Sequence, residues 1–136
     1  MSVRRSLSDW LRRLFPKKTL GQRGEAAAAR YLRRRGYKIL ARSDHFGPGE
    51  LDLVALDGKT IVFVEVKTRQ SDVMGRPSEA VDERKQRKLT RLAETFLKRH
   101  RLSECHGRFD VIGITWPAKN WFPTIEHIKN AFEAVE

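Results

Sequence analysis

Cysteine and long apolar runs are almost missing from this 136-residue sequence, whose only cysteine is Cys105. One cysteine excludes an internal disulfide and a cysteine-based zinc cluster, and it fits a reducing compartment. No stretch approaches the ~20 apolar residues that a membrane-spanning helix needs, and the N-terminal residues lack the continuous apolar segment of a signal peptide. We therefore expect a cytoplasmic protein with no integral membrane span.

Acidic residues are scarce at the N-terminal end of the chain. Residues 1–40 contain 12 Lys and Arg against Asp9 and Glu25, a balance of +10, whereas the remaining 96 residues contain 16 basic and 15 acidic groups, a balance of +1. A basic excess at one end indicates a polyanionic partner, either nucleic acid or an anionic membrane surface. The alternative is a solvated basic surface that only keeps the protein soluble.

The chain length fits one domain preceded by a short arm. Three interpretations compete for this arm, residues 1–18: packing on the core, lying on a membrane, or flanking nucleic acid. Packing is the commonest fate of an apolar stripe and is favoured. Residues 19–136 are assigned to the domain itself. The arm is predicted to be a basic amphipathic helix because apolar residues recur in it at helical spacing: Leu7, Trp10, Leu11, Leu14 and Phe15.

The predicted elements follow the order helix, three strands, helix, strand and a short tail, which indicates an α/β fold. Thr19 and Gln22 form a capping box that begins the first helix, and Gly36 follows its end. Ser78 is expected to cap the second helix, which extends to about His100. The predicted strands are 37–42, 50–56, 60–68 and 109–115, with a loop at 43–49 and a last segment from residue 124 that is expected to be a strand and then a helical turn.

Two carboxylates interrupt otherwise apolar strands. Side chains alternate along a strand, so Asp52 falls on one face of the second strand, and Glu65 and Lys67 fall on one face of the third. If residues 57–58 form the hairpin turn, Asp52 and Glu65 are diagonal neighbours at ~7 Å, and if residues 58–59 form it, they lie opposite each other at ~5 Å. Both registers place the two carboxylates within reach of one cation.

This arrangement is typical of a metal-dependent hydrolase of phosphate esters. Two neighbouring carboxylates repel each other and lose solvation unless a positive charge intervenes, and Mg²⁺ or Mn²⁺ supplies that charge with oxygen ligands at ~2 Å. Lys67 is suited to hold the scissile phosphate, to position the attacking water or to stabilise the charge of the transition state. A salt-bridged strand edge is the alternative, and it is disfavoured for two carboxylates beside a lysine.

Other polar and aromatic residues carry weaker signals. Glu25 lies on the apolar stripe of the first helix and is a third acidic candidate, with an exposed acid near the helix N-terminus as an equal alternative. Lys85 also falls on an inner stripe, where a snorkelling lysine is the favoured explanation. The four histidines are too scattered to indicate a zinc site. Trp116, Trp121 and Phe122 either stack on bases or cover the core, and the core is favoured.

Three motifs stand in a fixed order: Gly24-Glu25, residues 49–54 (GELDLV) and residues 62–69 (VFVEVKTR). This ordered set resembles the YraN-like family of predicted endonucleases. That family belongs to the restriction-endonuclease-like superfamily, which is named for its PD-(D/E)xK signature and includes archaeal Holliday junction resolvases. The resemblance covers about residues 19–132. Leu51 stands where the superfamily signature has Pro, which is a feature of shape and not a ligand.

The resemblance implies a nuclease-like domain with a restriction-endonuclease-like αβββαβ core, in which helices flank a mixed central sheet. It also implies that Asp52, Glu65 and the backbone carbonyl of Val66 bind the metal and that Lys67 is catalytic. Glu25 would belong to a second metal site or support the first. The favoured hypothesis is a Mg²⁺- or Mn²⁺-dependent endonuclease acting on DNA rather than RNA, branched or structured DNA included.

Two alternatives to that hypothesis remain. The first is a module with a nuclease-like fold that binds nucleic acid without cutting it, and its binding would persist in EDTA and weaken steeply with salt. The second is a protein that docks on a membrane or a partner through residues 4–15. The oligomeric state is left open, a homodimer included.

Overall fold

The computed structural model describes residues 7–14, 19–46, 49–70, 81–117 and 122–135. After a short first helix, the order helix, three strands, helix and strand is the predicted αβββαβ core, and one more strand follows it. The mixed fold with helices flanking a central sheet is therefore confirmed. The elements are α1 (Leu7–Leu14), α2 (Leu20–Arg34), β1 (Lys38–Phe46), β2 (Gly49–Asp57), β3 (Thr60–Arg69), α3 (Glu83–Arg99), β4 (Gly107–Thr115) and β5 (Thr124–Phe132).

The five strands form one sheet in chain order. Neighbouring strands are antiparallel except β3 and β4, which are parallel because α3 carries the chain back to the same edge. One buried cluster joins α2 to the first face of the sheet, and another joins α3 to the opposite face. Strand β3 is thus covered on both faces, which explains its run of apolar residues.

The predicted start and end of α2 are confirmed. The Thr19 hydroxyl accepts the Gln22 N–H at 3.1 Å, and the Thr19 N–H donates to Gln22 Oε1 at 2.9 Å. These two bonds satisfy donors that the first helical turn leaves unpaired. The helix ends at Arg34 with Arg35 as its C-cap, and Gly36 follows with a φ of 89°, a conformation that favours glycine.

Three predicted boundaries are wrong. Strand β1 continues to Phe46 and pairs with the start of β2, so the polar composition of residues 43–49 did not mark a loop of that length. Helix α3 is capped by Asp82, whose carboxylate accepts the Lys85 N–H at 2.9 Å; Ser78 lies outside the described residues. The last segment has no helical turn within its described part, because pairing with β4 keeps it extended to Phe132.

The predicted arm helix is present as α1, but the favoured interpretation of its apolar stripe is not supported. Leu7, Trp10 and Leu14 are 70%, 58% and 53% exposed. Side chains exposed to this extent do not pack on the core of the domain. Within the described ranges, no helix has both the length and the hydropathy needed to cross a membrane.

Candidate active site

Strand register brings the predicted carboxylates together. Residues 53–57 of β2 pair with residues 60–64 of β3, and residues 58–59 form the turn, so the register continued by one residue places Asp52 opposite Glu65. Residues 42 and 44 of β1 pair with residues 53 and 51 of β2, so Ser43 lies opposite Asp52 on the other side. Ser43, Asp52 and Glu65 therefore form one row across three strands.

The strict alternation of side chains fails next to Asp52. Leu51 packs in the cluster under α3, whereas Leu53 packs in the cluster under α2. In a regular strand, residues that are two positions apart lie on the same face. The paired ladder between β2 and β3 also ends at Leu53. The Val66 N–H then donates to Asp52 Oδ2 at 2.9 Å. The Asp52 carboxylate thus lies where the two strands separate.

The surroundings of Asp52 oppose its ionisation. Burial and the negative charge of Glu65 raise the pKa of Asp52 to about 7 from an ordinary value of 3.8, although the bond from the Val66 N–H lowers it. The charges of Glu25 and Glu50 raise this pKa further. Four carboxylates therefore contribute negative charge at this end of the sheet, and this charge disfavours the ionised form of Asp52.

Two lysines approach Glu65, whose side chain is only 8% exposed. Lys85 Nζ lies 2.5 Å from Glu65 Oε1, and Lys67 Nζ lies 3.3 Å from the same oxygen. Lys85 comes from the first turn of α3, which the Asp82 cap holds over the end of β3. The expectation that Lys85 only extends towards solvent is wrong, and its place on the inner stripe was the signal.

The two ammonium groups differ in how firmly they hold their protons. Burial and the adjacent Lys85 lower the pKa of Lys67. Burial alone would also lower the pKa of Lys85, but its hydrogen bonds to Glu65 and Lys67 and the charges of Glu65 and Asp52 raise it. Lys85 is therefore the fixed positive charge of the site, and Lys67 releases a proton more easily.

Glu25 reaches the site because α2 approaches β3 very closely. A Cβ atom added at Gly24 would lie 1.7 Å from Thr68 Oγ1 and 2.8 Å from Thr68 Cβ, so only glycine fits at this crossing. The Ser43 hydroxyl donates a hydrogen bond to Glu25 Oε1. Ser43 has a φ of 46°, a strained conformation for a residue other than glycine, and sequence patterns gave no signal for its role.

The oxygen ligands that the site offers suit a hard divalent cation, although they do not form a complete coordination site. The described residues contain no group of three or more His, Cys, Asp or Glu side chains arranged to hold a metal ion. What they provide is a pair of carboxylates, Asp52 and Glu65, at a point where negative charge accumulates. Oxygen ligands and excess negative charge suit Mg²⁺ or Mn²⁺. The role of the Val66 carbonyl stays a prediction.

A second polar cluster, which no sequence pattern indicated, lies beside the paired end of β3. Asp110 of β4 is completely buried. Arg108 Nε donates to its carboxylate at 2.8 Å, His127 Nε2 lies 2.7 Å from it, and the Asn130 N–H donates to it at 3.0 Å. Arg108 also bonds Asp57 and the Tyr37 hydroxyl. We call these residues the Asp110 network.

The fold and the site define a class of protein: a mixed five-stranded sheet with carboxylates and lysines where two of its strands separate. Within that class, the chain belongs to the uncharacterised protein family UPF0102, whose family model matches residues 24–114. The matched range includes the three motifs that contain Glu25, Asp52, Glu65 and Lys67.

Bacterial relatives of the chain carry the same family name. A UPF0102 protein of Geobacter metallireducens is 52% identical over 85% of this chain and 93% of its own length. One from Caldicellulosiruptor saccharolyticus is 47% identical over 85% of this chain and 98% of its own. One from Rhodopirellula baltica is 47% identical over 85% of this chain and 71% of its own length. The resemblance to the YraN-like family is therefore confirmed at the level of the family.

Proposed function

We propose that this protein is a divalent-metal-dependent phosphodiester hydrolase that cuts DNA, within the restriction-endonuclease-like superfamily that also contains archaeal Holliday junction resolvases. One observation carries the proposal: Glu65 is buried between two lysines, beside Asp52, whose carboxylate is held where β2 and β3 separate. Such a concentration of opposed charges costs folding free energy and is typical of reaction sites rather than of structural ion pairs.

In this proposal Asp52 and Glu65 are the metal ligands, together with the carbonyl of Val66. Mg²⁺ or Mn²⁺ bound there supplies the positive charge that lowers the pKa of an attacking water and stabilises the phosphate oxygens. The Val66 N–H orients Asp52 through its 2.9 Å bond. Glu25, fixed by the Ser43 hydroxyl, adds negative charge next to Asp52 and belongs to a second metal site or supports the first.

The two lysines take different parts in the proposed reaction. Lys67 has a lowered pKa, so it is the better group to accept a proton from the attacking water. Lys85 keeps its charge and neutralises Glu65 before substrate binds. If Glu65 held a metal, the Lys85 ammonium would be available to contact a phosphate oxygen and to stabilise the charge that develops there.

The experiment is cleavage of plasmid, linear and four-way-junction DNA by the full chain with Mn²⁺ or with EDTA. We expect cutting that requires Mn²⁺ and falls by about a thousandfold or more in Glu65→Ala, because the variant loses a charged group at the reacting centre. Glu94→Ala is the matched control, since Glu94 is an exposed acid on α3. Cleavage that is absent for all substrates, or undiminished in Glu65→Ala, contradicts the proposal.

A second candidate function is a module that binds nucleic acid without cutting it. The 2.5 Å ion pair between Lys85 and Glu65 favours it, because the ammonium already occupies an oxygen that a metal would need. Binding would then be equal in EDTA and Mn²⁺ and would weaken steeply with salt. Binding that requires Mn²⁺, or any Mn²⁺-dependent cutting that Glu65→Ala abolishes, excludes this candidate.

A further inference from the structure

The outer face of α2 carries a stripe of arginines that the proposed active site does not use. Arg23, Ala27, Arg30 and Arg34 are spaced by four, three and four residues, so they lie on one side of the helix. Arg23, Arg30 and Arg34 are all exposed. The inner side, with Ala28, Ala29 and Leu32, is buried against the sheet. We call the three arginines the arginine stripe.

A cleft of about 500 Å³ runs beside this stripe. Arg30, Tyr31 and Arg34 form one wall, and Phe122 and Ile125 contribute to the other. Phe122 is 78% exposed, so the expectation that it covers the core is wrong. The cleft therefore combines positive charges with an accessible aromatic ring, the two features with which proteins bind unpaired nucleotides.

The first arginine of the stripe lies beside the proposed active site. The guanidinium of Arg23 lies 4.6 Å from the centre of the Trp116 ring. The Trp116 N–H in turn donates to the carbonyl of Arg69, two residues after Lys67 on β3. Next to Arg23, Gly24 contacts Thr68. Arg23 thus lies at this end of β3, and Arg30, Arg34 and the cleft follow it along α2.

The length of the stripe suits a short run of nucleotides. Eleven residues of helix separate Arg23 from Arg34, which is about 16 Å at 1.5 Å per residue. A stacked strand advances about 3.4 Å per nucleotide, so the stripe spans about five nucleotides. The phosphates would follow the arginines, and one base would stack on Phe122. A base within a duplex has no free face for such stacking, whereas an unpaired base does.

We propose that the arginine stripe and the Phe122 cleft bind a single-stranded extension of DNA that continues from the phosphate held at Asp52 and Glu65. The inference rests on the proposed function, because it takes the same nucleic acid as its ligand. It makes a DNA end or junction with an unpaired strand of about five nucleotides a better ligand than a blunt duplex.

Binding is measured by fluorescence anisotropy in EDTA, with the full chain and two labelled probes: a blunt DNA duplex and the same duplex with an unpaired extension of about eight nucleotides. Extensions of either polarity are tested. We expect the extension to tighten binding by about tenfold or more, with the gain complete at about five nucleotides. Arg30→Ala/Arg34→Ala should lose this gain and reduce the slope of log affinity against log salt by about 1.4.

Two further variants make the test specific. Phe122→Ala should weaken binding of the extended probe by about tenfold and leave the blunt duplex unaffected. Arg91→Ala/Lys98→Ala, which removes the same charge from exposed positions of α3 on the opposite face of the sheet, should keep the gain. The proposal fails if the extension adds no affinity, if the gain survives in the stripe variant and in Phe122→Ala, or if the stripe variant weakens both probes equally.

Failure of this proposal is distinct from failure of the proposed function. Loss of the gain in the stripe variant, combined with no Mn²⁺-dependent cutting by the native protein, supports the stripe and overturns the nuclease. Cutting by the native protein, combined with an undiminished gain in the stripe variant, supports the nuclease and overturns the stripe.

Discussion

Asp52 and Asp110 are carried by strands of the same sheet, yet their surroundings are opposite. Asp110 is fully buried and bonds Arg108, His127 and the Asn130 N–H. Although burial opposes it, these bonds lower the pKa of Asp110. Asp52 receives one backbone N–H and faces the charges of other carboxylates, and its pKa is raised to about 7.

The difference separates a structural charge, Asp110, from a charge that the proposed function uses to bind metal, Asp52. A buried carboxylate with several donors contributes to a defined fold, because its lost solvation is replaced. The Asp52 carboxylate lies next to Glu65 and accepts one N–H, so its ionised form costs stability. In the proposed function, a bound cation restores this stability. Burial of a carboxylate by itself would point to Asp110 as the candidate active-site residue. The direction of the pKa shift points instead to Asp52.

The largest effect is expected from Asp110→Ala. This change leaves Arg108, His127 and the Asn130 N–H without their shared acceptor, and loss of one partner from a buried ion pair costs about 3–5 kcal/mol. Urea denaturation of the native protein and the variant measures this cost as a decrease in the free energy of unfolding. Asp57→Ala is the control, because Asp57 bonds the same Arg108 from a position 39% exposed and should cost less than about 1 kcal/mol. If Asp110→Ala and Asp57→Ala lowered the free energy of unfolding equally, Asp110 would not be the structural charge that the contrast with Asp52 requires.

A smaller effect of the opposite sign, an increase in the free energy of unfolding, is expected from Asp52→Asn in the absence of metal. An acid whose pKa is raised in the folded state makes the fold less stable as pH rises from about 4, where unfolded Asp ionises, to about 7. Asn keeps an acceptor for the Val66 N–H but carries no charge. The variant should match the native protein near pH 4 and exceed it by on the order of 2 kcal/mol at pH 8.

Thermal unfolding of native and Asp52→Asn protein across this pH range, in EDTA, measures the difference. Glu94→Gln, at an exposed position of α3, should show no change of this kind with pH. A difference that is independent of pH, or a variant less stable than the native protein at pH 8, would show that Asp52 is a structural charge like Asp110.

The smallest expected effect is stabilisation by metal. Mn²⁺ at about ten times its dissociation constant should stabilise the native protein by about 1.4 kcal/mol, because only the folded state brings Asp52 and Glu65 together. Asp52→Asn should lose most of this increase, and Asp57→Ala should keep it. Melting temperatures with Mn²⁺ and with EDTA measure the effect. An equal increase in all three proteins would indicate metal binding away from the Asp52–Glu65 pair.

Local sequence patterns predicted most of the fold. The capping box at Thr19, the helix end at Gly36 and the apolar run of β3 depend on neighbours in the chain, and all are found where expected. Boundaries were wrong where pairing with another strand decided them: β1 and β5 stay extended because β2 and β4 pair with them along their length. The α3 boundary was wrong for a local reason, since two capping residues were available.

The candidate site was predicted in part, and the missing members come from distant segments. Asp52, Glu65 and Lys67 share a hairpin, so its turn and register were enough to bring them together, although strict alternation fails beside Asp52. Lys85 and Ser43 belong to elements whose approach depends on how α3 and β1 pack. One hydrogen bond of the Asp110 network joins residues 71 positions apart, Tyr37 and Arg108, and no local pattern reports such a contact.

By itself, the sequence determined the helices, the central strands and a pair of carboxylates beside a lysine, because capping, periodicity and alternation act over a few residues. Only the tertiary structure decided that Lys85 pairs with Glu65, that the pKa of Asp52 is raised and that the pKa of Asp110 is lowered. The physical reason is that the pKa of a buried group depends on burial and on charges within a few ångströms, which packing supplies from any part of the chain.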